Sequence, residues 1–189
     1  MNENKPPAKN DHVCPHQFAF MLDNWLRRIV QSPKKIVGEY VNEGDCVLDV
    51  GCGPGYFSID MAKLVGETGE VIAADLQPQM LDKVEKKARK HKVRDRMEFH
   101  QCHSTGIGLN KQVDFILAFY MIHETGDSKA FLSEMKQMLN ANGKILIVEP
   151  KMHVSQQLFE SMLKDAEETG LKVATFPEKK GGRSVLLTV

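Results

Sequence analysis

Three alternate glycines, Gly51, Gly53 and Gly55, come directly after the apolar segment Val47–Val50. The segment is broken only by Asp49, and a helical pattern of apolar residues begins just after the glycines. A strand, a glycine loop and a helix in this order direct backbone N–H groups at a ligand, and glycine lets the main chain turn sharply and approach it closely. These residues therefore predict binding of a nucleotide-like ligand. A tight turn without a ligand is the alternative, although an ordinary turn needs one glycine rather than three.

The spacing of the glycines narrows the choice of ligand. A dinucleotide-binding G-x-G-x-x-G motif beginning at Gly51 would have its third glycine one residue later than this sequence does. The pattern Asp49-x-Gly51-x-Gly53-x-Gly55 instead resembles the first motif of class I S-adenosylmethionine-dependent methyltransferases. The resemblance implies that the glycines and Cys52 line the cofactor site. It also implies that Asp49 faces the cationic methionyl end of S-adenosylmethionine, which a carboxylate attracts.

A second acidic residue, Asp75, ends the next apolar segment, Val71–Asp75. It stands 24 residues after Gly51, and an acid at the tip of a second strand in this position can hold both ribose hydroxyls of a nucleotide. The resemblance assigns this role to Asp75 and implies that Leu76 also contacts the cofactor. The alternative is that Asp75 only caps the helix predicted at Pro78–Lys92.

The third predicted strand, Arg96–Gln101, departs from the family pattern. Many relatives carry an acidic residue at the tip of this strand, where it accepts a hydrogen bond from the adenine amino group. This sequence continues with Cys102 and His103. We expect these two residues to substitute for the acid at the adenine end of the cofactor, with an ordinary surface loop as the alternative.

Methyl transfer is expected at the end of the fourth strand. The apolar segment that begins at Val113 runs through Phe119 into Tyr120, His123 and Glu124, and it resembles the fourth-strand motif whose loop lies beside the reactive methyl group. His123 is the candidate general base for an acceptor that arrives protonated, while Tyr120 or Glu124 would orient the acceptor. Phe119 is expected to contact the cofactor. The alternatives are that Tyr120 only packs on the cofactor and that the other two only hydrogen-bond their loop. No metal is required, because the sulfonium is already an activated leaving group.

An aromatic segment near the N terminus is predicted to cover the site. It places Cys14 and His16 beside Phe18 and Phe20, and Pro15 stiffens it. Since the rest of the chain leaves the mouth of the predicted pocket uncovered, we expect a lid that brings the thiol and the imidazole near the acceptor. Such a pair could bind a soft acceptor such as a thiol or a metalloid. Packing of the two rings against a remote face of the sheet is the alternative.

The remaining segments alternate between strands and amphipathic helices, which predicts an α/β fold. The resemblance makes this a Rossmann-like three-layer sandwich with a seven-stranded, mostly parallel sheet that ends in an antiparallel hairpin. The hairpin would join Leu171–Phe176 to Ser184–Val189. Residues 1–20 are interpreted as a tail and possible lid, and residues 21–189 as the methyltransferase domain. Helices are predicted to begin at Asp23 or Asn24, Ser32, Phe57, Pro78, Asp127 or Ser128, and Val154, and a strand at Lys144–Pro150 to follow a turn at Asn142-Gly143.

The composition favours a small-molecule partner. Acidic and basic residues balance at 25 each in 189 residues, so the net charge attracts neither nucleic acid nor an anionic membrane. The lysine-rich face of Pro78–Lys92 is expected to be solvated, because no aromatic residues are interleaved for base stacking. The longest apolar run, Phe115–Ile122, is too short for a membrane span, and the polar N terminus lacks a signal-peptide pattern, so we expect a cytoplasmic protein. The four cysteines have no C-x-x-C spacing and predict neither a disulfide framework nor a zinc site.

Three functions agree with these features to different degrees. Methyl transfer from S-adenosylmethionine to a small, unidentified acceptor accounts for both the glycine spacing and the predicted hairpin. An NAD-binding oxidoreductase would use the same loop and Asp75, but it requires the other glycine spacing and normally ends its sheet in a parallel strand. A cofactor-binding domain that transfers no methyl group is the non-enzyme alternative, because the family motif does not fix the residues that hold the acceptor.

Overall fold

The computed structural model describes residues 32–179 and 182–189. The predicted lid residues Cys14, His16, Phe18 and Phe20 lie outside these ranges, as does the helix expected to begin at Asp23 or Asn24. In the part that is described, no helix is long and apolar enough to cross a membrane.

Seven strands form one sheet: β1 (Cys46–Val50), β2 (Glu70–Asp75), β3 (Met97–Gln101), β4 (Val113–Phe119), β5 (Leu139–Pro150), β6 (Lys172–Thr175) and β7 (Gly182–Thr188). Their order across the sheet is β3-β2-β1-β4-β5-β7-β6. The first five strands run parallel to one another, whereas β7 lies antiparallel between β5 and β6. This arrangement confirms the predicted sheet and the antiparallel pair at its end.

The described residues also contain five α-helices: α1 (Pro33–Val37), α2 (Ser58–Leu64), α3 (Pro78–Lys90), α4 (Ser128–Gln137) and α5 (Gln156–Glu168). Side chains alternate between the two faces of a strand, so each buried strand contributes to two cores. In β4, Phe115 and Leu117 belong to the core shared with α1, α2 and α3. Ile116 and Ala118 belong to the core shared with α4 and α5. The sheet is therefore the middle layer of three, as the resemblance implied.

The helix ends differ slightly from the prediction. Helix α1 ends at Val37, four residues before the end of its apolar pattern, and Tyr40 beyond it stacks on Phe115 with the ring centroids 5.7 Å apart. The apolar residues beyond Val37 are therefore explained by packing against the sheet and not by a longer helix. The Asp127 side chain accepts a hydrogen bond from the backbone N of Ala130, so Asp127 rather than Ser128 caps α4.

The fifth strand is longer than predicted and includes the expected turn at Asn142-Gly143. Its register against β4 changes at Asp114. The Asp114 carboxylate accepts hydrogen bonds from the Asn140 side chain at 2.6 Å and from the Cys46 backbone at 2.9 Å, which ties the irregularity to β1. The Asn-Gly pair thus lies in a bulged strand, because these long-range bonds hold the segment against the sheet.

Helix α3 buries the apolar face that the sequence predicted, from Met80 to Ala88. The opposite, basic face was expected to be solvated throughout. Lys87 is an exception: it is half-buried, and its Nζ donates to the backbone carbonyl of Pro54 at 2.7 Å. Helix α3 therefore supports the glycine loop through a lysine that the sequence assigned to the surface.

Parallel pairing brings the carboxyl ends of β1 to β5 to one edge of the sheet. The strand order reverses between β1 and β4, because β2 and β3 continue outward from β1 whereas β5 continues outward from β4. Open α/β sheets bind ligands in the crevice at such a switch point. The fold therefore assembles the predicted residues of several separate loops at one place.

Candidate active site

A cavity of about 620 Å³ opens at this edge of the sheet. Its walls are the loops that follow β1, β2, β3 and β4, together with the start of α4. The volume lies within the range of about 300–1,000 Å³ that is typical of small-molecule sites. Gly55 is not among the lining residues. The predicted site residues that do line the cavity are Asp49, Gly51, Cys52, Gly53, Asp75, Leu76, Cys102, His103, Phe119, Tyr120, His123 and Glu124.

The three glycines of the loop after β1 have different surroundings, although all three have positive φ. A Cβ at Gly51 would lie 2.9 Å from the Cβ of Met121 in the loop after β4. A Cβ at Gly55 would lie 2.9 Å from Cγ1 of Val84 in α3. These two glycines therefore allow close packing. At Gly53, by contrast, a Cβ would meet no atom within 4 Å, because this residue faces the open cavity.

Asp49 is a buried carboxylate in the wall of the cavity. It is 2% exposed, and its Oδ2 accepts a hydrogen bond from the Ser58 hydroxyl at 2.5 Å. Burial raises the pKa of Asp49 to about 7; the Ser58 hydrogen bond opposes this shift, and the nearby charge of Asp75 adds to it. A positively charged ligand would favour the ionised carboxylate, so this wall is suited to a cation.

Asp75 links the end of β2 to the glycine loop. Its Oδ2 accepts from the backbone N of Gly53 at 2.8 Å, and its Oδ1 accepts from the backbone N of Gln77 at 2.8 Å. Burial raises the pKa of this carboxyl, and the backbone hydrogen bonds oppose the shift. Each carboxylate oxygen has a second lone pair, so both can still accept from ligand hydroxyls.

Cys102 and His103 lie at the tip of β3, next to Asp75. The backbone N of Cys102 donates to the Asp75 carbonyl at 3.0 Å, and burial raises the pKa of the Cys102 thiol to about 12. The thiol is therefore neutral near pH 7. The backbone of His103 pairs with that of Gly106 in both directions, which closes a small turn and leaves the imidazole exposed. Cys102 and His103 thus stand at the strand tip where the resemblance led us to expect an acid.

Tyr120 has a strained backbone at the end of β4. Its φ of 61° lies in the left-handed region, which costs a residue with a side chain about 1–2 kcal/mol. Its backbone N donates to the Val148 carbonyl at 2.8 Å, and its ring centroid lies 4.2 Å from that of Phe119. These contacts hold the residue in place, and strain of this kind is concentrated at functional sites.

The His123 ring is held by Glu149 at the end of β5. The distance from His123 Nδ1 to Glu149 Oε2 is 2.5 Å, and the other carboxylate oxygen accepts from the backbone N of Ile122 at 2.9 Å. Glu149 is 1% exposed, while the His123 side chain is 18% exposed and lines the cavity. The hydrogen bond to Glu149 raises the pKa of His123, burial lowers it, and the charge of Glu124 raises it.

Sequence reasoning gave no role to four residues that line the cavity or hold residues around it: Met121 lines it, and Ser58, Lys87 and Glu149 hydrogen-bond to Asp49, Pro54 and His123. The sequence gives almost no indication of the roles of Ser58 and Lys87, because serines in helices and lysines on basic helix faces are common. Glu149 had a usable signal, because it ends the strand that follows β4 and parallel neighbours end at the same edge.

The residues present fit S-adenosylmethionine. Two carboxylates, Asp49 and Asp75, line one cavity, and the space beside Gly53 is one that a Cβ would fill. The cationic end of the cofactor matches the first carboxylate, and the ribose hydroxyls match the acceptor capacity of the second.

Comparison with known proteins shows that this chain is similar to methyltransferases. A family model described as a methyltransferase domain matches residues 41–183. Among curated proteins, the chain is 28% identical over 159 residues to a demethylmenaquinone methyltransferase of Lactobacillus johnsonii. The matched region covers 77% of this chain and 63% of the relative. The chain spans about half to just under two thirds of the length of the first such relatives.

Two solved structures bear on the fold. A SAM-dependent methyltransferase from Aquifex aeolicus superposes on this chain with a TM-score of 0.83 and a sequence identity of 27%. The superposition covers 94% of this chain and 100% of the other protein. The [4+2]-cyclase SpnF has a TM-score of 0.66 at 16% identity, with 77% and 59% covered, and shows likeness of fold alone.

Proposed function

The chain belongs to a family of methyltransferase domains, and from this premise we propose that it transfers the methyl group of S-adenosylmethionine to a small-molecule acceptor. The observation that supports this most is the cavity that joins the carboxylates of Asp49 and Asp75 to the open side of Gly53. We also propose that residues 21–189 are the methyltransferase domain and that residues 1–20 are an N-terminal tail that can serve as a lid.

The cofactor would be held by residues of four loops. Asp49 and Gly53 hold its methionyl end, Asp75 and Leu76 its ribose, and Cys102 and His103 its adenine. Phe119 packs against it. When bound, S-adenosylmethionine supplies an activated methyl group on a sulfonium, so the work of the protein is to align the acceptor and exclude water. Tyr120 and Glu124 orient the acceptor, and His123 takes its proton when it has one to lose.

The acceptor is a small organic molecule rather than a nucleic acid or a protein. The cavity volume and the aromatic rings of Phe119 and Tyr120 in its wall support an acceptor with a flat apolar part. The Lactobacillus johnsonii relative is a demethylmenaquinone methyltransferase, so demethylmenaquinone, supplied in its reduced hydroquinone form, is the first acceptor to test. The protein would act in the cytoplasm.

Calorimetric titration tests the cofactor, and labelled methyl transfer tests the reaction. We expect S-adenosylmethionine to bind and NAD not to bind. With isotopically labelled methyl donor, we expect label in demethylmenaquinone or in another small molecule of a metabolite extract. Binding of NAD alone would contradict the assignment. Cofactor binding without transfer to any component would favour a domain that holds the cofactor but transfers no methyl group.

A further inference from the structure

Glu149 lies at the carboxyl end of β5, beside the loop that follows β4, and both of its carboxylate oxygens are used there. One accepts from the backbone N of Ile122, and the other pairs with His123 Nδ1. Among the described residues, no lysine or arginine forms an ion pair with this 1%-exposed carboxylate. A buried carboxylate needs a strong partner, so the imidazole is the group that must satisfy it.

This contact determines where the proton of the His123 ring lies. An ionised carboxylate can only accept hydrogen bonds, so Nδ1 must carry the proton. In the neutral ring the lone pair is then on Nε2, because the hydrogen bond at one ring nitrogen fixes the state of the other. The ring lines the cavity, so Nε2 is the nitrogen that can meet an acceptor.

The charged groups around the ring come from three elements. Glu149 contacts it from β5, and Glu124 acts from the same short 3₁₀ turn, Ile122–Glu124. His153, in the turn after β5, has its ring centroid 6.2 Å from that of His123. The two carboxylates favour the imidazolium, whereas a protonated His153 would disfavour it. Glu149 is the closest of these groups and the one with a direct hydrogen bond.

We propose that Glu149 is a positioning residue that fixes His123 as the general base for an acceptor that carries an ionisable hydroxyl or thiol proton. This inference rests on the proposed function. The proton of the O–H or S–H bond goes to Nε2, and the electron pair of that bond stays on the acceptor as it becomes nucleophilic toward the methyl carbon. The sulfur of the donor keeps the electrons of the bond that breaks. The resulting imidazolium is stabilised by its hydrogen bond to the Glu149 carboxylate.

Glu149→Gln separates this role from simple packing, because glutamine has almost the same shape. The amide oxygen can still accept from Ile122 N, but the amide NH₂ then faces His123 Nδ1 and donates to it. The neutral ring must place its proton on Nε2, where it can no longer accept a proton from the acceptor. The reverse orientation of the amide would face the buried Ile122 N–H with a second donor, which is unfavourable.

Nitrogen-15 NMR of histidine-labelled protein reads the tautomer without any acceptor. The signal of His123 is identified by its absence in His123→Gln. We expect the Nδ1–H tautomer in the wild type, and the Nε2–H tautomer with a lowered pKa in Glu149→Gln. Glu167→Gln, the same substitution on the exposed face of α5, is the control and should change neither. Identical tautomer and pKa in wild type and Glu149→Gln, both folded, would overturn the proposal.

Kinetics with the reduced hydroquinone form of demethylmenaquinone, which carries hydroxyl protons, or with the acceptor found by labelling provides the second readout. Glu149→Gln should lower kcat by about 100-fold, as expected for loss of a general base, with little change in KM or in the affinity for S-adenosylmethionine. Its remaining activity should also lose the rise with pH that His123 gives to the wild type. If the wild type neither binds the cofactor nor transfers methyl, the proposed function fails. If it does both and Glu149→Gln keeps the wild-type kcat and pH profile, only the role of Glu149 fails.

Discussion

Gly53→Val tests the cofactor site most directly, because Gly53 is the glycine of its loop whose missing side chain leaves open space. The new Cβ would meet no protein atom within 4 Å, so its bulk enters the cavity rather than the core. The φ of 52° adds a backbone cost of about 1–2 kcal/mol for a residue with a side chain, somewhat more for a β-branched one. The fold should therefore survive with a lower melting temperature, by about 2–4 °C for each kcal/mol.

Gly53→Val should weaken the binding of S-adenosylmethionine strongly, although it lowers the stability of the fold only moderately. A valine side chain would displace the methionyl end and remove at least one hydrogen bond to a charged group, worth about 1.5–3 kcal/mol. This corresponds to a dissociation constant at least about tenfold weaker, since 1.4 kcal/mol is a factor of ten. Gly53→Ala should give a smaller loss, because it adds one carbon to the same space.

Gly44→Val is the matched control. Gly44 also has a positive φ, of 89°, but it lies in the turn before β1, where a Cβ would make only ordinary contact with the Thr68 hydroxyl at 3.6 Å. We expect a similar loss of stability and unchanged affinity. Isothermal titration calorimetry with S-adenosylmethionine gives the affinities, and thermal unfolding followed by circular dichroism gives the stabilities. A folded Gly53→Val protein that binds with wild-type affinity would refute the cofactor assignment.

Three further predictions concern the two carboxylates of the cavity and the proposed lid. Asp75→Ala should weaken S-adenosylmethionine binding at least about tenfold, because up to two charge-assisted hydrogen bonds to the ribose are lost; equal affinity in a folded variant would exclude that role. Because burial raises the pKa of Asp49 to about 7, its contribution to stability is fully present below its ordinary pKa and is lost as the pH rises through 7. A bound cation offsets that loss, so S-adenosylmethionine should raise the melting temperature more at pH 8 than at pH 6; Asp49→Asn should remove this difference, and a wild type without it would contradict the account. Deletion of residues 1–20 should abolish turnover while only modestly weakening cofactor binding, because the glycine loop and Asp75 remain; full-length activity in the truncated protein would show that no lid exists.

The parts of the fold that the sequence predicted are those with local causes. The order of strand, glycine loop and helix around Gly51 follows from apolar periodicity and from glycine spacing, both of which act within a few residues. The acids at the ends of β1 and β2 could be placed at one edge because parallel strands end together. The predicted helix ends and the predicted turn at Asn142-Gly143 were less accurate. Tertiary hydrogen bonds, such as that between Asn140 and Asp114, determine the structure there.

Short patterns in the chain predicted the strands, the helices and their order, and the resemblance to methyltransferases supplied the sheet that they form. The role of each loop residue, in contrast, depends on contacts that only the folded protein makes. It separates Gly53, which faces the cavity, from Gly55, which packs on Val84. It also brings Glu149 to His123 across 26 positions, through the pairing of Phe119 with Val148 between β4 and β5. Side-chain partners across strands depend on register, and here an irregularity at Asp114 sets that register through contacts distant in the sequence.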